Sequence, residues 1–222
     1  VNDTTWELVR TSVGPLLEGA VRGTIPLTII SFAAGLVIAL LVALARLSRV
    51  PVLSWLARAY ISVIRGTPLL VQLFLIFYAL PSLGVVIDPF PSAVIAFSLN
   101  VGGYAAETIR AAILSVPRGQ WEAASTIGLG PTMTLRRVVL PQALRVSVPP
   151  LSNTFISLVK DTSLASTIMV TELLRKAQEI AAPTYEFMTL YSLAAVIYWL
   201  ICLVLSSAQG RLERRLDRYV AT

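Results

Sequence analysis

Gly119-Gln120-Trp121-Glu122-Ala123-Ala124-Ser125-Thr126-Ile127-Gly128-Leu129-Gly130-Pro131-Thr132-Met133-Thr134-Leu135-Arg136-Arg137-Val138-Val139-Leu140-Pro141-Gln142-Ala143-Leu144-Arg145 is a short, moderately polar, basic segment set between long apolar runs. Gln120 to Ile127 reads as a short helix with Trp121, Ala124 and Ile127 on one face. Gly128 and Gly130 are candidates for its C-terminal cap. Pro131 suits the first turn of a second short helix, reaching Val139 and ending before Pro141. Two short helices joined by glycine make a compact knob. Its alanines would let another backbone approach closely, and its arginines give it charge for an acidic partner. A solvated linker between apolar runs explains the same residues equally well, so the surroundings have to decide.

Those surroundings are a membrane protein's. Of 222 residues, 56% are hydrophobic and only 14% charged, with a mean hydropathy of +0.77; soluble domains carry about a quarter charged residues. The length allows one compact unit with several spans and no separate soluble domain. A net charge of +6 would suggest nucleic acid in a soluble protein. Here the charges are spread between apolar runs, so membrane orientation accounts for them and nucleic acid is not expected. With no histidine, histidine-based metal sites, general bases and triads are excluded. The single Cys202 can form no intrachain disulfide. The polar, acidic start (Asn2, Asp3, Glu7) and an overlong first apolar run do not fit a cleavable signal peptide.

A span needs roughly 20 apolar residues to cross a core of about 30 Å. Five segments are read as spans: residues 23–45, 53–80, 92–114, 146–170 and 188–208. The second is read as one helix with a proline-marked irregularity at Arg65-Gly66-Thr67-Pro68. Pro81 to Pro91 is a turn-rich loop. The fourth is cut by Pro149-Pro150, Asn153 and Lys160-Asp161-Thr162-Ser163. Thr171 to Glu186 is amphipathic, and a basic tail runs from Arg211 to Tyr219. With the N-terminus outside, the inner segments hold Arg46, Arg49, Arg58, Arg65, Arg118, Arg136, Arg137, Arg145 and the tail arginines. The outer ones hold only Arg10, Arg22, Arg175 and Lys176. The positive-inside rule then places the C-terminus, and the 119–145 stretch, in the cytoplasm.

Several polar groups lie at membrane depth, where an ionisable side chain costs roughly 2.5–3.5 kcal/mol on insertion scales and faces an interior or a cavity. Lys160 and Asp161 are adjacent, so on a regular helix they point about 100° apart. Either the backbone breaks there, or one faces a pathway and the other an interface. A pathway for a polar solute could draw donors and acceptors from Thr67, Gln72, Asn153, Asp161, Thr162 and Ser163. The competing reading makes Lys160-Asp161 a structural pair. Glu107 and Arg110, three apart on one helix face, read as a structural ion pair rather than a gate.

The segment Glu122-Ala123-Ala124, three residues, Gly128, nine residues, Val138, one residue, Leu140-Pro141 resembles the signature of permease subunits of ABC importers. The one departure is Val138 for isoleucine. The resemblance covers nearly the whole chain. Arg65-Gly66-Thr67-Pro68-Leu69-Leu70-Val71-Gln72, Tyr104-Ala105-Ala106-Glu107-Thr108-Ile109-Arg110 and Ile156 to Leu164 are similar to the polar amino-acid importers of histidine, glutamine and arginine type. Asp88 to Ala93 and Glu172 to Gln178 are most similar to the L-cystine permeases.

The resemblance implies an all-α, type I ABC importer transmembrane fold in the cytoplasmic (inner) membrane of a bacterium. It implies a coupling segment, 119–141, using Gly119, Glu122, Ala123, Ala124, Gly128, Leu140 and Pro141 to dock into a separate ATPase. The chain itself has no G-x-x-x-x-G-K-Ser/Thr loop, so ATP and Mg would be bound by that partner. No other cofactor is expected, and the chain is not expected to be an enzyme. The implied partners are a second permease copy, favoured as a homodimer, two ATPase subunits, an extracytoplasmic amino-acid-binding protein and membrane lipid. The expected cargo is L-cystine or another polar amino acid. A stand-alone channel or secondary carrier is the alternative, although carriers usually show internal repeats with paired broken helices, and none is found.

Overall fold

The computed structural model describes residues 3–217 and is helical almost throughout. Helix α1 (Asp3–Gly19) passes through a π-turn (Ala20–Thr24) into α2 (Ile25–Leu47). Residues Thr5–Leu47 form a single 43-residue rod, about 65 Å at 1.5 Å per residue. The expected span, 23–45, is only its second half.

After a short turn come α3 (Pro51–Gly66) and α4 (Leu69–Phe74), the latter prolonged by a π-turn (Leu75–Ala79) and a 3-10 turn (Leu80–Leu83). The long α5 (Pro89–Leu114) leads to α6 (Arg118–Thr126) and α7 (Pro131–Thr134). A third π-turn (Leu135–Val139) then enters α8 (Leu140–Asp161). A 3-10 stretch (Thr162–Ile168), α9 (Leu173–Thr184) and α10 (Phe187–Asp217) complete the described chain. Asn2, Arg218 and Tyr219 lie outside it.

Two sequence expectations are corrected and an open one is resolved. Residues 53–80 are not one irregular helix, because α3 and the Leu69–Leu83 arm meet at 106°. Pro68 has no N–H to give and forces Thr67 into an extended conformation (φ −121°, ψ 145°), so the helix must stop. Nor does the helix after Pro131 end before Pro141. The backbone of Val139 and Leu140 is helical, and α8 continues unbroken from the knob. In the segment 146–170, of the two alternatives for Lys160-Asp161, the change of backbone is the one seen. Its α-helix ends at Asp161, and a tighter 3-10 stretch ends at Met169 in the left-handed region (φ 66°).

The three π-turns share a cause. Each ends two residues before a proline: Thr24 before Pro26, Ala79 before Pro81, Val139 before Pro141. In each case the residue preceding the proline donates five residues back: Ile25 to Ala20, Leu80 to Leu75, Leu140 to Leu135. A proline ring in a regular helix clashes with the carbonyl four residues earlier. Widening the preceding turn by one residue gives that carbonyl room and lets the helix continue.

Helices α2 and α5 form the centre. Ser31, Gly35, Ala39 and Ala43 are buried at four-residue spacing on α2, opposite Phe97, Val101 and Ala105 of α5. A Cβ on Gly35 would lie 2.6 Å from Val101 Cβ, so small residues let the two backbones close, as in membrane helix pairs. On the other side, the Glu172 side chain joins three elements. It is fully buried, accepts from Arg175 N at 2.6 Å to cap α9, and accepts from Tyr198 Oη at 2.5 Å and Thr24 Oγ1 at 3.4 Å.

By length and composition, two helices can cross a membrane, or three if the bent α3–α4 pair is one span. Helices α5 and α8 are long enough, at 26 and 22 residues. Their polar content (Asn100, Glu107 and Arg110; Asn153, Lys160 and Asp161) keeps them from qualifying on composition alone.

The packing makes Gly23 a sensitive position. A Cβ there would lie 2.2 Å from Thr171 O and 2.7 Å from Glu172 Cα. Overpacking of this kind costs about 1–3 kcal/mol, and roughly 2–4 °C of Tm follows each kcal/mol at this chain length. Gly23→Ala should therefore lower the Tm of the purified chain in detergent by several degrees. Gly14→Ala, with nothing within 4 Å, should not lower it. Equal Tm values would mean that the contact between the first π-turn and Thr171-Glu172 yields without cost.

Candidate functional site

Two features stand out, one polar cavity and one exposed knob. The knob is built by α6, α7 and the π-turn into α8. Helix α6 ends in a Schellman arrangement: Gly128 N donates to Ser125 O at 3.0 Å and Leu129 N to Ala124 O at 3.0 Å. Gly128 sits at φ +79°, a backbone region in which a Cβ is strained. The second helix is fastened back by Thr134 Oγ1, which donates to Leu129 O at 3.3 Å. The inner side of the knob packs on the bundle through Trp121, Leu135, Val139, Leu140 and Ala143, which meet Ala112, Ile113 and Val116. Ala124 is buried, whereas Gly119, Glu122, Ala123, Gly128 and Pro141 are exposed and Leu140 is partly so. The outer side therefore presents a carboxylate among small residues, with Ile127 75% exposed beside it.

The cavity, about 430 Å3, lies where the α3–α4 break faces α5 and α8. The break contributes Thr67, Pro68 and Leu69, and α5 contributes Asn100, Val101 and Tyr104. Helix α8 contributes Asn153, Thr154, Ser157, Leu158 and Asp161. Among the residues expected from sequence, Thr67, Asn153 and Asp161 are brought together here. Gln72, Thr162 and Ser163 stand behind or beyond the wall. Thr162 is fully buried and its Oγ1 donates to Val159 O at 2.7 Å, while Ser163 Oγ donates to Lys160 O at 2.7 Å. Both cap the end of α8. Gln72 braces the break: its Nε2 donates to Ile64 O (2.8 Å), Thr67 O (3.2 Å) and Thr67 Oγ1 (2.9 Å).

Asn100, Tyr104, Thr154 and Ser157 were not among the expected residues. A signal was available for Ser157, since Asn153, Ser157 and Asp161 recur every fourth residue and so share one face of α8. Below the cavity, Arg110 and Glu107 form the expected ion pair, with Arg110 Nε donating to Oε1 at 3.0 Å and Oε2 at 3.1 Å. The Arg65 guanidinium lies 5.5 Å from the Tyr104 ring centroid, within cation–π range. No group of acidic, cysteine or histidine residues that could hold a metal occurs among the described residues.

Residues 25–218 match the family described as binding-protein-dependent transport system inner membrane component. The chain belongs to that family. It is an ABC importer permease, a multi-pass membrane protein. It is 63% identical over 217 residues to the L-cystine transport system permease protein TcyB of Bacillus subtilis (strain 168), covering 97% of this chain and 93% of that one. It is 42% identical over 213 residues to the glutamine transport system permease protein GlnP of Escherichia coli (strain K12), covering 95% and 97%. The permease also superposes on a chain of a crystal structure of an amino acid ABC transporter with histidines. There the TM-score is 0.90 and the identity 35%, over 97% of this chain and all of that one. An inward-facing MetNI methionine ABC transporter shares the fold at TM-score 0.75 and 24% identity, over 90% and 96% of the two chains.

The knob's geometry gives a local test. Gly128→Val places a β-branched residue at φ +79°, where a side chain costs about 1–2 kcal/mol. It should speed tryptic cleavage at Arg136–Arg137 in isolated membranes by several-fold. Gly128→Asn should cleave close to the parental rate, because asparagine tolerates this region. Identical cleavage of all three would show that the glycine does not hold the knob.

Proposed function

We propose that this permease moves L-cystine into the cell by alternating access, powered by a separate ATPase. The observation that carries this reading is the 63% identity to an L-cystine permease over nearly the full length of both chains. The cavity supplies suitable chemistry. It has 430 Å3 of space, within the roughly 300–1,000 Å3 of small-molecule sites, and a wall of amides, hydroxyls and one carboxylate that can replace a zwitterion's water. Glutamine-type cargo is the second reading, supported by 42% identity to a glutamine permease.

In the proposed cycle the chain has five spans of the type I importer topology, with its N-terminus outside. It sits in a bacterial inner membrane and works as a homodimer. An extracytoplasmic binding protein delivers the amino acid to the outer face formed by Pro81–Pro91 and Thr171–Glu186. Two ATPase subunits, which hold ATP and Mg, receive the exposed Gly119, Glu122, Ala123 and Gly128 face. Their closure moves the knob, and hydrolysis resets it. Ligand-driven switching requires a difference in interaction between the two states, and docking of the knob on a closing ATPase supplies one. Thr67, Asn153 and Asp161 line the pathway in this reading, while Gln72, Thr162 and Ser163 support its walls.

Glu122→Lys should abolish uptake of labelled L-cystine in reconstituted vesicles while leaving the chain inserted, and normal uptake would remove the coupling role. Asp161→Asn should change cystine uptake several-fold without altering co-purification of the ATPase. Unchanged kinetics would take Asp161 off the pathway. Weak competition by excess glutamine against labelled cystine would favour cystine, and strong competition the second reading.

A further inference from the structure

The cavity wall contains two carboxamides, Asn100 on α5 and Asn153 on α8, and each is held by a glutamine that does not line the cavity. Hydrogen-bond polarity fixes which way each carboxamide points. Gln72 Nε2 lies among three acceptors, the Ile64 carbonyl and the carbonyl and hydroxyl of Thr67. Turning the Gln72 amide over would set its oxygen against two carbonyl oxygens, so Nε2 must face them. Gln72 Oε1 is left to accept from Asn100 Nδ2 at 3.1 Å. Asn100 Oδ1 therefore turns away from Gln72, and it accepts no hydrogen bond from the described residues.

The second pair has the opposite sense. Gln209 Nε2 donates to Glu213 Oε1 at 2.8 Å, and an ionised carboxylate only accepts. The same nitrogen donates to Asn153 Oδ1 at 3.0 Å. Asn153 Nδ2 is thus the free end, with no acceptor among the described residues. Two of the cavity's hydroxyls are already engaged with the backbone. Thr67 Oγ1 already donates to Val63 O at 2.8 Å and accepts from Gln72, while Thr154 Oγ1 donates to Pro150 O at 3.0 Å.

We propose that the cavity is polarised for a zwitterion, with Asn100 Oδ1 accepting from the substrate's ammonium group and Asn153 Nδ2 donating to its carboxylate. Gln72 and Gln209 are the positioning residues that set this polarity. The proposal rests on the cavity being the transport pathway. A zwitterion sheds water on entering, so a carbonyl oxygen turned toward its carboxylate would repel it and leave both groups unsatisfied. Asp161 offers a further acceptor on the same face of α8, eight residues and about 12 Å beyond Asn153. Selection for free α-amino acids over amine-blocked ones follows from this wall.

The test is uptake of radiolabelled L-cystine by proteoliposomes holding the assembled transporter at saturating binding protein, with rates normalised to assembled complex. Asn100→Leu and Asn153→Leu should each slow uptake about tenfold or more, the worth of one hydrogen bond to a charged group. Gln72→Met and Gln209→Leu should slow it comparably, although neither side chain lines the cavity. Gln209→Lys, which can still donate to Asn153 Oδ1 and Glu213, should restore most of what Gln209→Leu loses. Asn100→Asp, whose carboxylate accepts on every side, should restore most of what Gln72→Met loses. If both asparagine variants are slow and both glutamine variants run at the parental rate, the positioning role is overturned and the pathway stands. If the glutamine variants are slow and neither second substitution restores uptake, their role is structural only and the proposal fails. Parental rates in the two asparagine variants would overturn the pathway reading itself.

Discussion

A helix broken inside an apolar slab exposes carbonyl groups that no lipid can satisfy, and each unpaired group costs several kcal/mol there. The bend after Gly66 is such a break, and one side chain resolves it. Gln72 supplies its amide to the ends of α3 at Ile64 and Thr67. Its other end is tied to α5 through Asn100. The 106° turn is therefore held from both sides, and the space it opens against α5 and α8 is the cavity. Tyr60 Oη, donating to Leu99 O at 2.6 Å, and the close approach of Ile64 to Gly103 fix α3 against the same helix. Pro68 makes the bend, and without this brace the carbonyls it frees at Ile64 and Thr67 would lose their side-chain donor beside the polar wall.

Prolines were legible in the sequence as interruptions, but their consequences differed by context. Pro68 stops a helix, with Thr67 before it extended, whereas Pro149 and Pro150 lie inside α8. Pro26, Pro81 and Pro141 each follow a π-turn that absorbs the ring. Nothing in the residues around Pro141 separates these outcomes. This is why the knob's second helix reads as ending before Pro141 and in fact runs on. Long apolar runs marked α2 and most of α10, because these helices are hydrophobic on nearly every face. The charged and amide positions on α5 and α8 were equally visible, but a polar residue shows neither what it faces nor what holds it. Asn153 and Asp161 were legible as polar groups at depth. The role of Gln209, 56 residues from Asn153, depends on tertiary contact alone.

Glu172 illustrates the same limit. In sequence it belongs to an amphipathic stretch and to a run similar to the L-cystine permeases, neither of which shows what its side chain meets. In the fold it is fully buried and joins α9 to Thr24 and Tyr198. The glycines at 19 and 23 exist to let that junction close, since a Cβ on either would strike Glu172 backbone atoms within 2.9 Å. This junction is separate from the cavity's wall, so the long first helix is tied to α9 and α10 while α3, α4, α5 and α8 surround the polar space.

The continuity of α8 has a mechanical consequence. Its first turn, Leu140 to Ala143, is part of the contact between knob and bundle. Its later turns carry Asn153, Ser157 and Asp161 into the cavity. With 22 residues, it spans about 33 Å at 1.5 Å per residue, and Pro149 and Pro150 lie between the two ends. A displacement imposed on the knob therefore reaches the cavity wall along one helix, without a loop to absorb it. The paired prolines mark where that rod lacks backbone hydrogen bonds and can bend. In the proposed cycle, motion of the knob at Leu140 and reorientation of Asn153 are the two ends of one lever.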